Sequence, residues 1–182
     1  LRLNKNKIDV LAPKLFLHLK NLKSLHLSDC SICEIDENDF HGLNNLEDLS
    51  LTCHNIKVID PSVFSHLKQL KKLRLKCRKL ERLDEGTFKH LINLEELKLR
   101  SNKNIEIDVQ AFDRLDNLKT LKLENVNPNR LEANTFANLK YLNLFISNHE
   151  VTSINKVKLG FNDNVDFIVV DDFLILLNFI IY

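Results

Sequence analysis

The chain has 182 residues, of which 44% are apolar and 28% charged, with a formal net charge of +1. That near balance argues against a globally basic nucleic-acid binder, and the apolar fraction suits a folded, soluble protein. Three glycines leave no glycine-rich phosphate loop.

In chain order, residues 1–19 hold an incomplete unit: Leu1 and Leu3 predict a strand, Ile8 and Leu11 a descending stretch, and Phe16 and Leu19 a return. Units then begin at Leu22, Leu46, Leu70, Leu94 and Leu118 without insertion. The clearest of them is Leu94-Glu-Glu-Leu97-Lys-Leu99-Arg-Ser-Asn102, an L-x-x-L-x-L-x-x-N pattern. Its doublet recurs as Leu1/Leu3, Leu25/Leu27, Leu49/Leu51, Leu73/Leu75, Leu97/Leu99 and Leu121/Leu123, each step being 24 residues (97 − 73 = 24). Phe16, Phe40, Phe64, Phe88, Phe112 and Phe136 keep the same step, and Leu19, Leu43, Leu67, Leu91, Leu115 and Leu139 follow them by three residues. A fixed period of this size predicts a solenoid built of one supersecondary unit per repeat. The alternating leucines predict short strands with one face inward, stacked side by side as a parallel sheet about 4.8 Å from strand to strand. Ile32/Ile35, Ile56/Ile59 and Leu80/Leu83 are expected to re-enter the core on the descent, and the phenylalanines to fill its far side as structural core. Asn104 and Pro128 stand where that descent wants an apolar residue, which predicts a looser descending side toward the C-terminus.

After Phe136 the period slips. Leu142 and Leu144 predict the next doublet 21 residues after the last (144 − 123 = 21), with Val151 and Ile154 closing a shortened unit. The repeats are therefore assigned to 1–154, about six to seven units. Segment 155–182 follows no repeat and is expected to be a cap over the end of the solenoid or a disordered tail. Its apolar run after Asp172 is shorter than the roughly 20 residues of a membrane helix. The chain starts inside a repeat and lacks an initiator Met, so membrane association and targeting are not legible.

These columns resemble the leucine-rich repeat family, and the 24-residue spacing with its Phe resembles the typical subclass of animal receptor ectodomains and extracellular matrix proteins. The resemblance covers roughly residues 1–154. It implies an α/β repeat solenoid, a horseshoe with a parallel sheet on its concave side and an irregular or short helical convex side. It also implies a non-enzymatic protein-binding module, extracellular or at the cell surface, that takes its partner on the concave face. The family places Asn, or sometimes Cys, three residues after the doublet, to hydrogen-bond the backbone at the bend. Here that column reads Asn6, Cys30, His54, Arg78, Asn102 and Val126. Arg78 and Val126 cannot play that part, which predicts water or local distortion at their bends.

Cys30-Ser-Ile-Cys33 is an isolated C-x-x-C, too little for zinc or redox work. Cys53 and Cys77 lie one repeat apart, so strand stacking brings them within disulfide range, but with near-parallel Cβ directions. Two buried thiols are the expectation and a Cys53–Cys77 bridge the alternative. Asp36, Asp60, Asp84, Asp108 and Glu132 form a carboxylate column, expected to cap the turns before the phenylalanines rather than to hold calcium. His66 and His90 have no third ligand at suitable spacing, and no nucleophile–base pair is apparent. No metal, cofactor or enzymatic activity is expected.

The exposed face of the sheet carries the strongest functional signal. Its inner column reads Arg2, His26, Ser50, Arg74, Lys98 and Lys122, and the next reads Asn4, Ser28, Thr52, Lys76, Arg100 and Glu124. Arg74, Lys76, Lys98, Arg100 and Lys122 thus converge, and the plainer alternative to a binding patch is a solvated face partly neutralised by Glu47, Asp48, Glu95 and Glu96 just upstream. Close like charges repel without aiding the fold, so an anionic partner on this patch is the expectation. That partner is a protein or peptide, acidic in character; a sulfated glycan bound by a matrix protein, or a cytoplasmic scaffold role, are the alternatives. The absence of any N-x-[ST] acceptor keeps the cytoplasmic reading open. No nucleic-acid partner is expected.

Overall fold

A computed structural model describes residues 1–101, 105–127, 130–139 and 142–147, and the backbone of 165–169. Asn102, Asn104, Pro128, Val151, Ile154 and most of the 155–182 tail lie outside the described residues.

The strands fall where the alternating leucines place them. They are β1 (Ser24–Ile32), β2 (Asp48–Cys53), β3 (Lys72–Cys77), β4 (Arg82–Leu83), β5 (Glu96–Arg100), β6 (Glu106–Ile107), β7 (Thr120–Glu124), β8 (Leu142–Ser147) and β9 (Val165–Val169). A seven-stranded parallel sheet runs β1-β2-β3-β5-β7-β8-β9, and β4 pairs with β6 in a small second sheet on the descending side. Leu49 faces Leu73, Leu73 faces Leu97, and Leu97 faces Leu121, so the coils stack in register at the sequence period. Pro61–Phe64 forms a 3₁₀ turn. Asp60 caps it by accepting from the Ser62 N–H at 2.8 Å, and its carboxyl is held below the usual range by that residue's hydroxyl and N–H.

The core is one continuous column of the alternating leucines, the descending Ile and Leu residues, and the phenylalanines. Phe16, Phe40, Phe64, Phe88, Phe112 and Phe136 are all buried. Four of them form a stack: the ring centroids of Phe64–Phe88, Phe88–Phe112 and Phe112–Phe136 are 6.0, 6.2 and 5.9 Å apart. Leu19, at the first coil, stays 39% exposed, unlike the later members of its column. The return segments are tied by an amide ladder: the side-chain N–H groups of Asn45, Asn93 and Asn117 each donate at 2.9 Å to a carbonyl one coil back. A second tie is electrostatic. The residue just before each strand alternates in sign, Lys23, Glu47, Lys71, Glu95, Lys119, and Glu47 bridges Lys23 (2.6 Å) and Lys71 (2.9 Å) while Glu95 meets Lys119 (2.8 Å). The two lysines hold the Glu47 carboxyl down to about 2.

The last doublet needs correction. Leu121 faces Leu144 and Leu123 faces Ile146, so the step is 23 residues (144 − 121 = 23), not 21, and the doublet is Leu144/Ile146. Leu142, Leu144 and Ile146 share one strand face, so a shift of two residues leaves every inward side chain inward. Alternation alone could not separate the two registers; stacking on β7 does. β9 pairs with β8 in parallel with the same step, Val165 facing Leu142 (165 − 142 = 23).

Candidate functional site

The outward columns of the sheet are fixed by the same register. His26, Ser50, Arg74, Lys98, Lys122 and Phe145 line up across β1, β2, β3, β5, β7 and β8, and Thr52, Lys76, Arg100 and Glu124 line up beside them. Neighbours in such a row are one strand spacing apart, about 4.8 Å. The five cations singled out in the sequence are therefore brought onto one face.

Their electrostatics differ from the sequence argument. Arg74 Nη1 lies 2.7 Å from Asp48 Oδ1 and 3.5 Å from Ser50 Oγ. Lys76 Nζ reaches back to Asp29 at 3.3 Å. Lys98 Nζ meets Glu124 at 2.5 Å, and Arg100 Nε approaches its other oxygen at 3.9 Å. Lys122 Nζ sits 4.8 Å from the centre of the Phe145 ring. Unbalanced repulsion, the motive for an anionic partner, is absent: each cation has a partner on the sheet. Glu124, in the same column, supplies what Glu95 and Glu96 were expected to supply. Phe145 was missed because the slipped doublet hid its place beside Lys122. Arg74, Lys76, Lys98 and Arg100 remain 35–46% exposed in their side chains, so the paired charges still front solvent. Ser50 and Thr52 are covered, at 5% and 6% exposure.

At the downstream rim of the sheet, the bends come in two forms. Lys5, Asp29 and Asn125 adopt left-handed backbone (φ 61°, 57° and 62°), and the residue after them takes the bend position. Asn6 there donates to Leu3 O at 2.8 Å, Cys30 Sγ to the same carbonyl at 3.2 Å, and Cys30 and Val126 are fully buried. In the third and fourth coils no left-handed residue intervenes. β2 and β3 run on to Cys53 and Cys77, which alternate inward after Leu51 and Leu75 and fill the core. His54 and Arg78 are consequently turned out to solvent. The distortion expected at Arg78 is thus a rebuilt bend with the cysteine inside. The Cys53–Cys77 bridge considered from the sequence is not formed: all four cysteines are free thiols. The thiol of Cys53 is pushed up by its hydrogen bond with Cys77 and by burial. A cavity of about 340 Å³ opens at this rim, lined by Asp29, Thr52, Cys53, His54, Lys76, Arg78 and Lys79.

On the descending side, Asp36, Asp60 and Asp108 each accept from the N–H two residues on, at 2.6–2.8 Å. Among the described residues no group of three or more His, Cys, Asp or Glu is arranged to hold a metal. The His41 and His66 rings meet in a tilted contact, centroids 4.5 Å apart and planes 50° apart, and burial, then His41, lowers the His66 imidazole below its usual range.

A leucine rich repeat family model matches residues 1–52 and 44–103. No curated protein matches the chain by sequence. Among solved structures, the chain is similar to TLR13 in a TLR13–ssRNA13 complex, at 27% identity and a TM-score of 0.75 over 92% of this chain and 25% of that one. It thus spans a quarter of the length of the TLR13 chain. It is also similar in fold to internalin C2 of Listeria monocytogenes, at 18% identity and a TM-score of 0.51, over 90% of this chain and 78% of that one.

Proposed function

The chain belongs to the leucine-rich repeat family, and from that premise we propose that it is a non-enzymatic ligand-binding module whose partner, a protein or peptide, docks on the outward face of the sheet. The observation that carries this reading is the register itself. It holds Arg74, Lys98 and Lys122 in one row and Lys76 and Arg100 in the next, on a rigid array that needs no rearrangement to present them. Their ion pairs fix the side chains, so less rotamer freedom is lost on docking. The partner then exchanges into Arg74–Asp48 and Lys98–Glu124 with its own charges rather than neutralising bare cations, which favours a mixed-charge protein surface over a uniformly sulfated glycan. Such contacts speed association and weaken with salt. An extracellular or cell-surface setting fits the likeness to TLR13 and is part of the proposal.

One observation favours a second reading. TLR13 was solved with ssRNA13, so a single-stranded nucleic acid on the same cations is an alternative, against the expectation drawn from net charge.

The test is a binding screen of the purified chain against a panel of extracellular protein ectodomains, with single-stranded RNA oligonucleotides as a separate arm. Arg74→Glu with Arg100→Glu is compared with Lys14→Glu and Lys20→Glu, which lie away from the sheet. Loss of a captured protein in the first double variant alone supports the proposal. Equal binding by both removes the sheet face as the site, and saturable capture of RNA alone transfers the reading to nucleic acid.

A further inference from the structure

The rim cavity combines features that the fold does not need. His54 and Arg78 stand at the bend position, where Asn6 and Cys30 hydrogen-bond a backbone carbonyl and hold the turn. In these two adjacent coils that position is given to a side chain facing solvent, and the core is filled by Cys53 and Cys77 instead. Places where a repeat departs from its own rule in neighbouring units, with the fold kept intact by a compensation, are where function is expected to reside. Both departures open into the same cavity.

The walls are set by fixed contacts. Asp29 is held in left-handed backbone, and its N–H donates to Thr52 Oγ1 at 3.0 Å. Lys76 spans two coils to reach the Asp29 carboxylate. Lys79 donates to the Asn55 amide oxygen at 2.8 Å, a neutral acceptor that leaves its charge uncancelled. The cavity therefore presents Lys76, Arg78 and Lys79 with the His54 imidazole against a single carboxylate, Asp29. Its volume, about 340 Å³, falls within the span of small-ligand pockets. Arginine and lysine at one concave site recognise anions, the guanidinium through paired donors and the ammonium as a point charge.

We propose that this cavity is a binding site for a tetrahedral oxyanion, a sulfate or phosphate ester carried by the ligand. The assignment does not rest on docking at the sheet face. Of the five cations there only Lys76 lines the cavity, so Arg74→Glu with Arg100→Glu leaves its walls in place.

The full chain is titrated with sodium sulfate and with inorganic phosphate at constant ionic strength set by sodium chloride, while backbone amide resonances are followed by NMR. The expected result is saturable movement of the His54, Arg78 and Lys79 amides with either oxyanion and not with chloride. Arg78→Gln should weaken binding by about tenfold, the scale of one charge-assisted hydrogen bond. Lys79→Gln serves as the second variant, since Lys79 is exposed and its loss spares the core; it should weaken binding about threefold. An O-sulfated disaccharide and O-phosphoserine identify the source: whichever binds more tightly than its inorganic ion names the ester. Shifts that track ionic strength alone, or that persist unchanged in Lys79→Gln and Arg78→Gln, overturn the assignment. Binding of the inorganic ions with no gain for either ester means an adventitious ion only, and overturns it as well.

Discussion

Cys53 and Cys77 face each other as Cα partners on β2 and β3, both buried and both free thiols. Cys30 is equally enclosed, whereas Cys33 is only half-buried and its Sγ donates to Ser31 O at 3.1 Å. Thiolate is the reactive form, and the hydrogen bond with Cys77 together with burial keeps Cys53 protonated. An aromatic disulfide reagent should therefore titrate one thiol quickly in the native chain and three slowly, with all four free in denaturant. A total of two in denaturant would mean that Cys53 and Cys77 had bridged.

The phenylalanine stack makes the cost of truncation depend on position. Phe88 has ring neighbours on both sides, Phe64 and Phe112, while no stacked ring neighbours Phe16 among the described residues. Phe88→Ala should lose about 3–5 kcal/mol of stability by denaturant unfolding, from cavity and lost packing. Phe16→Ala should lose less. A Phe88→Ala chain with an unchanged midpoint would contradict the assigned register.

Two glycines should respond very differently to alanine. Gly42 has φ 91°, and an added Cβ would lie 2.6 Å from Leu17 Cα and 2.7 Å from Leu17 O, backbone atoms of the preceding coil. Gly86 has φ 63°, but its nearest atom would be the flexible Lys89 Cδ at 3.3 Å. Gly86→Ala should cost about 1 kcal/mol, the left-handed penalty alone. Gly42→Ala adds overpacking against backbone and should cost roughly 3 kcal/mol or more. Equal midpoints for the two variants would show that the coils are not in this contact.

Acid should weaken the fold in two separate windows. Burial, then His41 and Lys68, lowers the His66 pKa against the opposing pull of Glu37, and burial, Lys89 and Lys68 lower that of His90. The unfolded chain binds protons at these sites first, so their contribution is present above the ordinary imidazole value of 6.5 and is lost as pH falls through the lower folded values. Glu47 loses its contribution only between 4.5 and about 2. The thermal midpoint should fall between about pH 7 and pH 5, and His66→Gln with His90→Gln should flatten that slope. An unaltered slope would assign it to other groups.

Periodicity made the leucine and phenylalanine columns legible, because inward residues recur at a fixed step whatever the partner. Less was legible where two answers satisfy the same rule. Leu142, Leu144 and Ile146 all point inward, so the 23-residue step emerges only from stacking on β7. The five cations were readable as a face, but their pairing was not. Arg74 meets Asp48 from the coil before, and Lys76 meets Asp29 from two coils before, contacts that depend on side-chain reach. The exchange of Cys53 for His54 and Cys77 for Arg78 at the bend was hidden for a backbone reason: it turns on whether the preceding residue is left-handed.

The alternating row Lys23, Glu47, Lys71, Glu95, Lys119 sets the size of the piece by which such a chain can grow or shrink. By leucines alone any single coil is interchangeable with the next, since each touches only its neighbours. By charge it is not. Excising residues 46–69 would lay Lys23 directly against Lys71 and break the row, whereas excising 46–93, two coils together, would seat Glu95 where Glu47 had been and leave every contact opposite in sign. Duplications and deletions that preserve this protein should therefore come in pairs, so that the inherited module is twice as long as the structural one.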